Sequence, residues 1–237
     1  MSVKGGPNTV TSGLVLELDA GNIKSYQSGS TTWFDKSGYA NNGTLTNGPT
    51  FNTGSLGSIV FDGVDDYVLV NSGSTSINPT TAITVASFFN VSSYGSNYAP
   101  IVFKQNNYSG TYEQYSLGFV SNNPFLVITG VDRTQKVLQA TGNYINQTIY
   151  ATGTCDTVTD EIKLYINGIL MLTGSFTSTF DIADTPLNIG GTGVLKFGST
   201  YTGWTNGKIF NTQLYNKALS ADEVLQNYNA LKTRFGL

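Results

Sequence analysis

The feature that most limits what this chain can fold into is a period of two that recurs along almost its whole length. Ala82-Ile-Thr-Val-Ala-Ser-Phe-Phe89 alternates small polar with apolar residues. An extended chain points successive side chains to opposite faces, so this pattern reads as a half-buried β-strand. Leu14–Leu18, Ser58–Phe61, Tyr67–Val70, Ile101–Phe103, Tyr115–Val120, Phe125–Thr129 and Ile149–Cys155 read the same way. Glu161–Ile166 runs into Asn167-Gly168 and then Ile169–Leu172. Asn-Gly tolerates the positive φ angles of a type I′ turn, so a hairpin is expected there. With Leu187–Ile189 and Gly207–Leu214 the tally reaches about a dozen short, regularly spaced strands, the pattern of an antiparallel two-sheet sandwich. No Pro/Ser linker, charge block or repeat divides the chain, so one domain over residues 1–237 is expected, with 1–12 as an N-terminal arm.

One segment follows a different rule. Ser220-Ala-Asp-Glu223 is a capping box, in which the serine hydroxyl and the glutamate carboxylate each satisfy the other's backbone amide. Val224, Leu225, Tyr228, Leu231 and Phe235 then fall on one helical stripe, and Lys232 and Arg234 lie where cations suit the helix dipole. A C-terminal helix over 220–235 follows, its stripe docked on the domain's own sheet or, as the alternative, on a partner.

Composition removes several functions. The chain contains no histidine, so neither a Ser-His-Asp nor a Cys-His nucleophile system can be built, and histidine-ligated zinc, copper or haem is excluded. A net charge of −3 with only two arginines leaves no basic surface for nucleic acid. Charged residues make up 11% of the chain, against about 25% in globular proteins generally. Gly, Ser, Thr and Asn fill 103 positions in their stead. Cys155 is alone and cannot form an internal disulfide. The first residues lack the apolar core of a signal peptide, and no segment has the length for membrane insertion. The expectation is synthesis in a host cytoplasm.

Four stretches in the first third carry a family resemblance: Gly13–Asn22, Trp33–Gly38, Asn41–Leu45 and Ile59–Val68. Ile162–Gly168, Gly207–Phe210 and Leu214–Val224 continue it in order. Together they resemble the laminin-G-like branch of the concanavalin A-like lectin/glucanase superfamily. The resemblance implies an all-β jelly roll of two antiparallel sheets. Cys155 stands where that pattern would carry an aromatic residue. Gly5-Gly-Pro7 and Tyr228–Leu237 resemble a subgroup among structural proteins of tailed bacteriophages.

Glycoside hydrolysis needs two carboxylates facing one sugar bond, supplied in this superfamily's hydrolases by a Glu-x-Asp-x-x-Glu strand. That spacing is absent, and Glu17, Glu113, Glu161 and Glu223 lie in separate contexts, so no catalytic residue is assigned. No cofactor is required. A structural calcium ion is the one candidate, because Asp62, Asp65 and Asp66 crowd three carboxylates around Gly63 and hard cations want oxygen ligands. Asp62 and Asp65 are the ligand candidates. Asp19 and Asp35 are possible contributors from other loops, and plain Asx-turn chemistry is the competing explanation. For ligand binding, Tyr94, Tyr98, Tyr108, Tyr112 and Trp204 offer aromatic faces among Asn, Gly and Ser, whereas Trp33 is assigned to the interior. The leading expectation is a non-catalytic decoration protein of a phage virion, a homo-oligomer contacting other virion proteins and cell-surface polysaccharide. The alternative is a lectin-like carbohydrate-binding adhesin outside any virion.

Overall fold

The alternating segments pair into two sheets whose apolar faces meet. The computed structural model describes residues 7–54, 57–70, 74–94, 98–106, 113–181, 183–193 and 203–237. Among them are sixteen strands. In chain order these begin with β1 (Leu14–Asp19), β2 (Thr32–Trp33), β3 (Gly43–Thr46), β4 (Thr50–Asn52), β5 (Ser58–Asp62) and β6 (Tyr67–Val70). Next come β7 (Ala82–Tyr94), β8 (Ala99–Gln105), β9 (Glu113–Val120), β10 (Asn123–Thr129) and β11 (Gln135–Gln139). The last are β12 (Ile149–Asp156), β13 (Glu161–Ile166), β14 (Ile169–Ser175), β15 (Leu187–Ile189) and β16 (Thr205–Tyr215).

One eight-stranded sheet runs β14-β13-β12-β7-β16-β5-β4 with β1 also on β16, and the other runs β11-β10-β9-β8-β15-β6-β3-β2. The result is the expected all-β jelly-roll sandwich with one C-terminal helix. Between the sheets lie Leu16, Leu18, Phe61, Val85, Phe89, Leu117, Phe119, Leu126 and Leu164, with Trp33 fully buried among them. The Asn167-Gly168 turn has φ of 53° and 79°, as its hairpin requires. Strands β2, β3, β4 and β11 were not expected, because they are short and their side chains are mostly polar or half-exposed. Strand β7 also runs further than its alternation, carrying Tyr94 into the sheet.

Helix α1 (Ala221–Lys232), followed by a 3-10 turn at Thr233–Phe235, covers the outer face of the first sheet. The capping box forms: Ser220 Oγ accepts from the Glu223 amide at 3.2 Å, and the Glu223 carboxylate accepts from the Ser220 amide at 2.9 Å. The Phe88 ring stacks with Tyr150 at 4.6 Å and with Phe235 at 4.4 Å, and Tyr228 and Leu231 pack against the same cluster. The stripe therefore docks on its own sheet. Leu225 departs from it and stays exposed. Buried Asn227 ties down the N-terminal arm by accepting from the Val10 amide at 2.7 Å while donating to Tyr215 Oη at 2.9 Å. Cys155 is buried and free, its thiol pushed up to about 12 by burial and then by the neighbouring Asp156 charge.

Two substitutions separate packing from capping. Phe88→Ala removes a buried aromatic and is expected to cost about 3–5 kcal/mol in urea denaturation, whereas Ser220→Ala costs about 1 kcal/mol. Equal losses would show that the helix is held by its cap rather than by its stacked rings.

Candidate functional site

Strand ends converge at one rim of the sandwich and bring acids and aromatics together there. Thr205 at the start of β16 is level with Tyr94 at the end of β7, and Asn206 is level with Asp62 at the end of β5. From Asp62 the chain turns through Gly63 at φ +80°, where a Cβ would lie 2.8 Å from Asn206 Cβ. The turn is held by its own carboxylates. Asp62 Oδ1 accepts from the Val64 amide at 2.8 Å, Asp66 Oδ2 accepts from the Asp62 amide at 3.0 Å, and Asn47 Nδ2 donates to the Asp65 carbonyl at 3.0 Å.

This folding places one carboxylate oxygen from each of Asp62, Asp65 and Asp66 within 4.8 Å of the others. Oxygens on opposite sides of a hard cation, each at about 2.4 Å, would be separated by about that distance. Asp62 and Asp65 are exposed and Asp66 is buried. Burial raises the Asp66 pKa, the Asp62 and Asp65 charges raise it further, and the bond from the Asp62 amide opposes them. A cation would relieve that repulsion. The surface cluster can therefore coordinate a metal ion, with Asp66 joining the two expected ligands. Asp19 and Asp35 do not join it. Asp19 is paired with Arg234 at 2.7 Å, and Asp35 accepts from the Glu17, Ser37 and Asn41 amides.

Trp204 lies near the backbone of the acidic turn. It forms a bridge to Gly191, and a Cβ on Gly191 would lie 2.5 Å from Trp204 Cε3 and 2.8 Å from the Asp66 carbonyl oxygen. The indole and the acidic turn thus flank a single glycine. Trp204 is half-buried and its ring centroid is 6.3 Å from that of Tyr67. Backbone bonds hold both neighbours of the tryptophan: Thr205 donates to the Gly190 carbonyl at 2.9 Å, and the Gly203 carbonyl accepts from Thr192 at 3.0 Å.

The tyrosines expected in binding loops divide. Tyr94 belongs to β7, is half-buried and packs edge-on against Phe119 with centroids 6.4 Å apart. Tyr98 is a correction. It is 1% exposed, its ring packed near Phe125, and it offers no face to a ligand. A Cβ on Gly203 would lie 2.7 Å from Tyr98 Cε1, so Tyr98 supports the backbone that presents Trp204. Tyr108 and Tyr112 lie outside the described residues.

The glutamates are each engaged. Glu17 accepts from Gln213 at 3.1 Å and its pKa is raised, chiefly by burial. Glu161 pairs with Lys163 at 2.7 Å. At Glu223 burial opposes ionisation, but bonds from Lys217 and Ser220 outweigh it and hold the carboxyl below its usual range. Glu17-Leu-Asp19-Ala-Gly-Asn22 approaches the hydrolase strand pattern, yet its third position is Asn22, whose side chain accepts from the Lys24 amide at 3.0 Å.

A concavity of about 760 Å³ has none of Asp62, Asp65 and Asp66 in its lining. Tyr26 and Phe51, with centroids 4.8 Å apart, form part of its wall, and Ile23 and Arg234 also line it. Only the pairing of distant segments reveals it, so the alternation of strands carried no signal for it.

The fold defines a lectin-like jelly roll, and comparisons with known proteins supply the family. The sequence pattern of the Concanavalin A-like lectin/glucanases superfamily, laminin-G type, matches residues 62–225. The chain belongs to that family. It lacks the paired-carboxylate strand, Glu-x-Asp-x-x-Glu, of the superfamily's hydrolases. No curated protein matches it by sequence. Among solved structures, the binding domain of Paraclostridial Mosquitocidal Protein 1 is similar, with a TM-score of 0.68, 16% identity and coverage of 92% of this chain and 52% of that one. The receptor binding domain of botulinum neurotoxin D is similar with a TM-score of 0.67, 17% identity and coverage of 92% and 52%. The ligand binding domain of botulinum neurotoxin serotype D in complex with N-acetylneuraminic acid has a TM-score of 0.60, 18% identity and coverage of 92% and 51%. The chain spans about half the length of these domains.

Glu113, at the start of β9, generates a pH prediction. Burial pushes its carboxyl up to about 7, while Gln135 Nε2 lies 3.3 Å from Oε2. A raised folded-state pKa contributes stability that is complete below the unfolded value near 4.5 and lost as pH rises through about 7. Glu113→Gln is expected to flatten this slope, leaving stability near pH 4 little changed and raising it above pH 7 by about 2–3 kcal/mol. Thermal denaturation across that range checks it, and a variant that keeps the wild-type slope would contradict it.

Proposed function

We propose that this chain is a lectin-like carbohydrate-binding module whose ligand docks at the rim. Asp62, Asp65 and Asp66 hold a calcium ion there, and Trp204 stacks against a sugar ring. The observation that carries the reading is that the half-buried indole of Trp204 and the backbone carbonyl of Asp66 meet at Gly191, in the turn whose three carboxylates converge. Aromatic faces suit the C–H surface of a pyranose, and a cation can take hydroxyl oxygens in the coordination positions that the protein leaves open. Asn47 and Asn206 stand beside the cluster as further polar groups. Tyr94, level with Thr205, borders the same rim. The neurotoxin domain solved with N-acetylneuraminic acid supports the reading as a protein of the same fold that takes a sugar.

Placement on a phage particle rests on the likeness of the two termini together with the lone cysteine and the weakly charged, Thr/Asn/Gly-rich composition. The comparisons offer nothing for it, and the binding reading is adopted without it.

Calcium supplies the first test. At one hundred times its dissociation constant a ligand of the folded state stabilises by about 2.7 kcal/mol, which for a chain this size raises Tm by about 5–10 °C. Asp65→Asn, at an exposed carboxylate, should abolish the shift with little effect on the metal-free Tm. An unchanged wild-type Tm in excess calcium would remove the ion from the site. A glycan array with calcium and with chelator tests the ligand: binding is expected with calcium, and Trp204→Ala should weaken it by about tenfold. An array without a binder would overturn the reading.

A further inference from the structure

Strand β14 breaks the chain's own rule for surfaces. It is the outer strand of its sheet, and no strand among the described residues pairs its far side. An edge strand directs alternate N–H and C=O groups outward, and soluble proteins commonly guard such edges with charge, proline or short length. The other edges follow that practice: β2 and β4 have two and three residues, and β11 carries Lys136. Strand β14 has seven residues, Ile-Leu-Met-Leu-Thr-Gly-Ser, with no charge and no proline.

Its opening residues are apolar and exposed in succession: Ile169 by 65%, Leu170 by 46% and Met171 by 39%. Three consecutive exposed apolar residues on a strand are unusual unless something covers them. Leu225 of α1, also exposed, extends the patch, because a Cβ on Gly168 would lie 2.9 Å from Leu225 Cδ1. The hairpin's register shifts between Leu164 and Tyr165, leaving Met171 as the extra residue, a bulge that bends the edge without placing a charge on it.

We propose that β14 pairs antiparallel with β14 of a second copy of this chain, joining the two sheets across a twofold axis. Such an interface is self-complementary, residue i facing residue j and j facing i, so groups at the axis face their own kind. A charged edge would repel itself in that arrangement, whereas β14 brings only backbone hydrogen-bonding groups, apolar side chains and small polar ones. Leu170 is level with Tyr165, which packs in the cluster with Leu219 and Val224, so the covered patch is continuous with the seat of α1. Pairing would place two rims on one particle, and two linked sites raise avidity for a repeated ligand without any new contact to it. The inference does not depend on what the rim binds.

Sedimentation equilibrium of the full chain, with and without Leu170→Lys/Met171→Lys, tests it. The wild type should be a dimer that dissociates on dilution, and the double variant should raise the dissociation constant by roughly tenfold or more, since like charges would then meet at the axis. Val158→Lys, at another exposed apolar site, should leave the dimer unchanged. Hydrogen exchange on the unmodified protein gives a readout free of any folding effect: amides of Ile169–Ser175 should gain protection as concentration rises. A concentration-independent monomer, a dimer indifferent to the double variant, or exchange in β14 that ignores concentration would each overturn the proposal.

Discussion

Strand β16 is the constraint on which the rest of the structure depends. Along one side it pairs with β7 from Thr205 to Tyr215, and along the other it takes β5 over its first half and β1 over its second. Four segments from distant parts of the chain thereby share one register. At Gly207 a Cβ would sit 2.2 Å from the Asn90 carbonyl oxygen, so the close approach of β16 to β7 needs glycine there. At the start of this strand Asn206 meets the acidic turn at Gly63, Trp204 immediately precedes the strand beside Gly191, and the chain beyond its end enters the capping box. A slip of one residue would turn the outward set inward and move Trp204 and Asn206 away from the acidic turn.

The face under α1 and the rim use polar groups differently. Under α1 polar side chains are spent on one another: Tyr150 donates to Gln213, Gln213 donates to Glu17, and Asn227 links Tyr215 to the arm. At the rim the acidic turn satisfies its own amides yet leaves carboxylate oxygens converging. Mutual repulsion held in place by backbone bonds is an arrangement that a cation would stabilise. The low overall charge of the chain gives this cluster few competitors for a divalent ion.

Much of the fold was legible because its signals are local. Alternation marked the long strands, Asn167-Gly168 marked its hairpin, and Ser220 with Glu223 marked the helix start. The short edge strands were not, since Thr32–Trp33 and Thr50–Asn52 become strands only through their neighbours. The site was half legible. Three aspartates in five residues announced themselves, but the position of Trp204 beside them depends on the Gly191 bridge, a contact between distant segments. Tyrosines were the least readable residues. Tyr98 has neighbours suited to a surface loop, yet Phe125 and Gly203 enclose it, and composition does not reveal which way a ring turns.

The central claim is that acids and indole at the rim act as one site, and the chain's own fluorophores can report it. It has two tryptophans, Trp33 fully buried and Trp204 at the rim, so a change in emission on ligand addition can be assigned with Trp204→Phe. Titrating calcium and then a glycan identified as a binder should shift the Trp204 emission in two steps. The second step should require the first, and both should vanish in Asp65→Asn. A glycan-induced shift that is complete without calcium and survives Asp65→Asn would separate the indole from the acids and contradict the account.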